Sequence, residues 1–416
     1  MRRRVAQIGA LVAVTAIVIL SIVPSRSISS LVARLPFGDK GAHFIAYGVA
    51  SWLLVFSFGL NYSTLIFIAT SLLGLLIEVI QPHFGRSFDI WDLVVNCTGA
   101  LFGVLLGVVY LKNEEKKMGK SKQRGLVDKI RQTLLEAAIH LEDGLMERLE
   151  WMRFELSQKL PSLAPQQVAS YQASIEVLEM IQANLKLSEE NKIPMCQDTG
   201  MIVAFVEVGS DVPLSMQAIE EAIYEGSELA IKEGFFRNSV VEEPVFERIN
   251  TRTNLPPIIY WSTSKERHLK ISLLLKGFGS ENCSGLAMLN PTSGPQGVVK
   301  AVAEMVQRAG GKPCPPIVVG VGLGGTAERA GYLSKKALLR PVNSVHPDGR
   351  FAQLEREILD AIQALEIGPG GFGGHLTALG VAVEYEPTHI AGLPVAASIS
   401  CWADRKGEFI WEGPYA

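Results

Sequence analysis

The segment "GKPCPPIVVGVGLGGTAERAG", Gly311–Gly331, decides how the C-terminal part of this chain is read. Residues 315–319 look like a strand and Thr326 onward like a helix, and between them Gly320, Gly322 and Gly325 fit G-x-G-x-x-G, the turn that cradles a pyrophosphate in dinucleotide folds. Two features oppose that reading. The motif lies deep in the chain instead of opening a βαβ unit, and the acidic residue expected roughly twenty positions later is supplied only loosely by Asp348. A dinucleotide-binding oxidoreductase using the Gly320 loop therefore stands as the alternative. Two more glycine-dense stretches, "KGFGSENCSG" (Lys276–Gly285) and "GPGGFGG" (Gly368–Gly374), are each a ligand loop or a turn.

The same segment carries a thiol, Cys314, between prolines. Cys196 in "NKIPMCQDTG" and Cys401 in "SISCWADR" likewise border strand-like runs. Three thiolates from distant segments suit an iron-sulfur cluster that lacks its usual fourth ligand, leaving an iron open to act as a Lewis acid. Without a C-x-x-C pair, spacing alone does not separate this from three buried, apolar cysteines. The five cysteines are too few and too scattered for a disulfide framework in 416 residues, and they read as cytosolic thiols. A net charge of −3 offers no electrostatic footprint for nucleic acid.

Around these loops the texture is mixed α/β. Leu126, Ile130, Leu134, Leu141, Leu145 and Leu149 recur at helical spacing, which predicts a core-facing helical lead-in. "MIVAFVEVG" from Met201 predicts a strand, "IEEAIYEGSELAIKEGFF" a helix, and "PPIIYWSTSKERHLKISLLLKGFG" two strands around a turn.

The positive mean hydropathy of +0.23 comes from the front of the chain. Apolar runs begin at Val5, Gly41, Ser63 and Leu93, the first behind Arg2–Arg4 and the last followed by "KNEEKKMGKSKQR". They predict four membrane-spanning helices with both ends cytoplasmic. The expected layout is a membrane domain over 1–113, a basic linker over 114–124 and a soluble domain over 125–416. His43, Glu78, Arg86, Asp89 and Asp92 lie within or beside the spans and are either interfacial or functional.

"DKGAHFIAY" and "LIEVIQPHFGRSFDIWDLVVNCTGALFG" resemble the VanZ-like membrane proteins, at Asp39, Lys40, His43, Tyr47, Glu78, Arg86, Asp89, Asp92, Asn96 and Gly99. That resemblance implies location more firmly than activity. "PMCQDTGMIVAFVEVG", "KGFGSEN", "KPCPPIVVGVGLGGTAERA", "KKALLRP" and "PTHIAGLPVAASISCWADR" resemble the α-subunit of class I (iron-sulfur) fumarate hydratases and tartrate dehydratases. The resemblance implies a 4Fe-4S cluster on Cys196, Cys314 and Cys401, with Cys283 outside it. It implies Asp198 as general acid, and Gln197, Arg237, Gly279 and His389 as substrate-binding residues. It also implies reversible hydration of a small dicarboxylate, fumarate to malate first and tartrate second, in an oligomer. The catalytic base would come from a second domain or a β-subunit, so this chain alone would catalyse poorly.

The pairing of a membrane domain with a hydratase subunit has two readings: an enzyme tethered at the cytoplasmic face, or joined reading frames in which a start at Met118 gives a cytoplasmic subunit. A membrane-bound dicarboxylate sensor without turnover is the remaining alternative.

Overall fold

The computed structural model describes residues 2–22, 38–84 and 87–412. The chain divides into two compact units, Met1–Ser121 and Lys122–Ala416.

The first unit is helical: α1 (Arg2–Ile22), α2 (Gly38–Phe58), α3 (Ser63–Ile80) and the start of α4 (Ile90–Ile139). The spans Gly38–Phe58, Leu60–Phe84 and Ile90–Glu114 are long and apolar enough to cross a membrane. The apolar part of α1 is described over Val5–Ser21 and is shorter than these three, so the four expected apolar helices appear as three of membrane-crossing length and one shorter; Val23, where the first run was read to end, lies outside the described residues. So does Arg86. Small residues let α2 and α4 touch. A Cβ on Gly103 would lie 2.0 Å from the Gly48 carbonyl oxygen, and one on Gly99 2.4 Å from that of Phe44. Residues 114–124, read as a linker, are part of α4.

In the second unit the lead-in is helical, through the end of α4, α5 (Asp143–Lys159) and α6 (Pro165–Asn191). Leu126, Ile130, Leu134, Leu141, Leu145 and Leu149 are all buried. Two four-stranded sheets follow. The first has the order β2 (Ile258–Thr263), β1 (Met201–Val208), β3 (Leu269–Lys276), β8 (Lys406–Trp411). The second has the order β4 (Gly285–Leu289), β7 (Leu393–Ser400), β5 (Ile317–Gly325), β6 (Ala378–Thr388). The two strands expected around a turn, β2 and β3, both form, yet β1 lies between them, parallel to β2 and antiparallel to β3. An apolar cluster with Leu149, Met152 and Leu178 from the helices joins Val203, Phe205 and Leu274 of the first sheet to Val318 and Leu379 of the second.

Helix α7 (Met216–Glu233) covers the first sheet. On the second, the helix Ala327–Ala337 lies so close to β5 that a Cβ on Gly320 would be 2.1 Å from the Ser334 carbonyl oxygen, and one on Gly322 2.0 Å from that of Ala330. Both glycines belong to the buried strand and make room for the helix. Gly320 and Gly322 thus serve strand–helix packing, which accounts for two of the three motif glycines without a dinucleotide.

Candidate active site

Three chain segments meet where the sheets adjoin. Cys196 occupies the turn between α6 and β1. That turn is pinned by Asn184 Nδ2 donating to the Met195 carbonyl (2.7 Å), Met195 N donating to Ala138 O (3.0 Å), and Ser188 Oγ donating to Ile193 O (2.6 Å). Cys314 precedes β5 on a loop with a left-handed backbone at φ 54°, and Gly370 N donates to Pro315 O at 2.9 Å. The "GPGGFGG" segment therefore buttresses the Cys314 loop. Cys401 follows the last residue of β7, and Cys196 and Cys401 pack against one apolar cluster.

The thiols lie within one another's electrostatic reach. Partial desolvation raises the solvent-accessible Cys314 thiol, and the charges of Cys196 and Cys283 add to it. Burial pushes Cys401 up to about 11 against the opposing pull of Arg405. Among the described residues, the only donor set confined within 4.8 Å is elsewhere, at Asp39, His43 and Asp92, so the thiols do not converge on a single ion. A multi-iron cluster, being larger than one ion, spreads its ligands.

Asp198, two residues after Cys196, accepts from Gly200 N through Oδ1 (3.1 Å) and from Phe278 N through Oδ2 (2.7 Å). Gly279 follows Phe278, and its carbonyl accepts from Cys283 Sγ at 3.4 Å. Thr199 Oγ1 donates to Arg237 O (3.3 Å), and buried Asn254 donates to the same oxygen (2.7 Å), which ties the Arg237 segment to the Asp198 turn. The side chains of Gln197 and Arg237 are exposed. His389 is also exposed, in a cleft it shares with Trp261, Thr326, Arg329 and Tyr332; nothing in the geometry joins it to the thiols. The cleft's Tyr332 packs on the same cluster as Cys196 and Cys401.

Two cations at this place were not singled out from sequence. Lys276, 2% exposed, donates through Nζ to Ile399 O and Ser280 Oγ, both at 2.8 Å, and lies 3.4 Å from Glu281 Oε2. Burial lowers its pKa, opposed by the charges of Glu281 and Cys401. Arg405, 1% exposed, donates from Nη2 to the Asp198 carbonyl (2.7 Å), while its Nε and Nη1 have no partner. The sequence signals were a lysine directly after the three leucines Leu273–Leu275 and an arginine four residues after Cys401. Unsatisfied buried guanidinium donors are costly unless something anionic fills the space. A thiolate-bound cluster is anionic and chemically suits the three cysteines and the two cations.

The fumarate hydratase (Fumerase) family profile matches residues 155–410. The chain belongs to that family. Residues 4–111 match the VanZ/LLP1 family. The chain is similar to "Putative L(+)-tartrate dehydratase subunit alpha" of Methanocaldococcus jannaschii, 42% identical over 276 residues, 65% of this chain and 92% of the relative. It is also similar to L(+)-tartrate dehydratase subunit alpha of Escherichia coli K12, 34% identical over 231 residues, 55% of this chain and 75% of the relative. Membership in the Fumerase family makes the chain a hydro-lyase, and enzymes of this family are in general iron-sulfur proteins.

Proposed function

We propose that this chain is the α-subunit of an iron-sulfur hydro-lyase that removes water from, or adds it to, a small dicarboxylate, with a 4Fe-4S cluster held by Cys196, Cys314 and Cys401. The observation that carries the reading is the meeting of these cysteines with Lys276 and Arg405 beside the Asp198 turn. When bound, the cluster supplies an open iron as a Lewis acid toward a substrate oxygen.

The chain's own residues would do the rest. Arg405 and Lys276 favour anionic sulfur at Cys401. Arg405 also fixes the Asp198 backbone, while the N–H groups of Gly200 and Phe278 aim its carboxyl group. Asp198 is the candidate acid for the departing hydroxyl. Each of its oxygens already faces an N–H donor, so the proton it delivers must sit on a lone pair turned away from those bonds. Gln197 on the same turn and Arg237 offer an amide and a guanidinium fork to substrate oxygens.

The exposure of Gln197, Arg237 and Cys314 supports completion of the site by a second subunit. The names of the two relatives, each a subunit alpha, support the same partner. Tartrate dehydration is favoured by those names and fumarate hydration by the family description. The apolar helices would hold the assembly at a membrane with the enzymatic unit cytoplasmic.

The test is co-expression with a candidate β-subunit and anaerobic assay on L(+)-tartrate and fumarate. Turnover of one substrate, weak with the α chain alone and strong with both, is expected. Absence of turnover on either in a fully loaded complex would remove the hydro-lyase assignment of the site. Equal rates with and without the partner would remove the need for it.

A further inference from the structure

The helical unit contains a polar group of side chains that the hydro-lyase does not use. Asp39 lies in the first turn of α2 and Asp92 in the first turn of α4, with His43 one turn beyond Asp39. The ligating atoms of Asp39, His43 and Asp92 all lie within 4.8 Å of one another, the only such set among the described residues.

His43 is oriented as a metal ligand would be. Its Nδ1 lies 2.9 Å from Asn96 Oδ1, and Asn96 is fully buried. An amide oxygen only accepts, so Nδ1 is the donor in this pair, and in the neutral ring Nε2 would offer its lone pair on the side of Asp39. Nε2 lies 3.9 Å from Asp39 Oδ1, beyond hydrogen-bond range. Two ligands of one tetrahedral zinc stand about 3.4 Å apart, a distance reached by a small side-chain adjustment.

A second observation points to the same place. Glu78 is fully buried; its Oε2 accepts from Asp89 N at 3.3 Å, its Oε1 has no partner, and its charge interacts with those of Asp92 and His43. Three acidic side chains, Asp39, Glu78 and Asp92, thus lie about one imidazole, with Asp89 next to Glu78. Among the described cations, Lys40 alone forms an ion pair with them, 3.8 Å from Asp89. Acidic groups gathered about one imidazole, with a buried carboxyl oxygen left unpartnered, form a setting that a bound cation would balance. Asp39 and His43 also line a cavity of about 340 Å³ walled by Ala13, Ile17, Ala46 and Val49.

We propose that Asp39, His43 and Asp92 bind a divalent transition-metal ion of the zinc class, with Asn96 fixing the imidazole and Glu78 beside the ion. One nitrogen and two carboxylate oxygens favour zinc over magnesium or calcium, and three protein ligands leave a fourth position open.

The test uses the full-length chain in detergent, freed of loosely bound metal, titrated with Zn²⁺ and analysed for zinc and iron separately. One saturable zinc per chain is expected. Asn96→Ala should weaken that binding about 10- to 100-fold, and His43→Ala and Asp92→Asn should abolish it, with iron content unchanged. If His43→Ala does not fold, Asp39→Asn, at a side chain 57% exposed, serves in its place with a similar expected loss. No saturable zinc in the wild-type chain would overturn the proposal. So would zinc that persists in the His43 and Asp92 variants, because that zinc would sit elsewhere, on the cysteines for example.

Discussion

Replacing Asp198 with asparagine separates a chemical role from a structural one. The carboxylate accepts two backbone N–H bonds, from Gly200 at 3.1 Å and Phe278 at 2.7 Å. In Asp198→Asn the amide keeps one acceptor, while its NH₂ group confronts the other N–H. The loss is one charge-assisted hydrogen bond, about 1–2 kcal/mol once water reaches the freed donor. Phe278 is 44% exposed, so water can do so. A fall of a few degrees in unfolding temperature is expected. Loss of a positioned proton donor costs about 10²- to 10⁴-fold in rate. The assay is initial-rate dehydration by the loaded αβ complex, beside thermal unfolding and iron content of the same preparation. A variant with normal iron, nearly normal unfolding and a rate within a few-fold of wild type would refute the assignment of Asp198 as the acid.

Other perturbations test the fold and the thiols. Gly322→Ala places a methyl 2.0 Å from the Ala330 carbonyl oxygen, backbone against backbone, and should cost about 3 kcal/mol or more by pushing the helix off β5; a stability unchanged in urea would contradict that packing. Cluster ligation displaces thiol protons, and Cys314 and Cys401 are both held above the ordinary thiol range. Reconstitution at fixed iron and sulfide should therefore become more complete from pH 7 toward pH 9, and a flat or falling profile would count against these thiols as ligands. In the cluster-free protein the Cys401 thiol ionises near 11 when folded and near 9 when unfolded. The folded state then binds more protons between those values, so its stability is intact below pH 9 and declines through pH 11, by about 3 kcal/mol in the limit. Cys401→Ser should remove that part of the alkaline loss in urea titrations.

The legible features were local ones. Apolar spacing from Leu126 to Leu149 marked a buried helical face, and β1 announced itself as a short apolar run. The turn carrying Cys196, Gln197 and Asp198 is contiguous, so its three side chains could be read together. What the sequence concealed depends on pairing between distant segments. The insertion of β1 between β2 and β3 has no local signal. Arg405 reaches Asp198 because β8 pairs with β3, with Leu274 opposite Lys406 and Leu275 N donating to Arg405 O at 2.9 Å. That same register brings the end of β3, and with it Lys276, beside Cys401. The glycines at 320 and 322 left two readings open for a related reason: absence of a side chain admits a phosphate or a neighbouring helix equally well, and the backbone of Ala327–Ala337 is what lies against them. In the helical unit, hydropathy marked the spans, whereas the proximity of His43 to Asn96 and Asp92 required helix packing.

The central claim is that Cys196, Cys314 and Cys401 hold one cluster at the Asp198 turn. Its most direct test is iron and acid-labile sulfide content, with the visible spectrum, of the full-length chain purified without oxygen beside Cys314→Ser. About four irons and matching sulfide per chain, in a brown protein that loses most of both on the substitution, is the predicted result. A colourless, iron-free chain that resists reconstitution, or a Cys314→Ser protein that keeps its full iron, would contradict it.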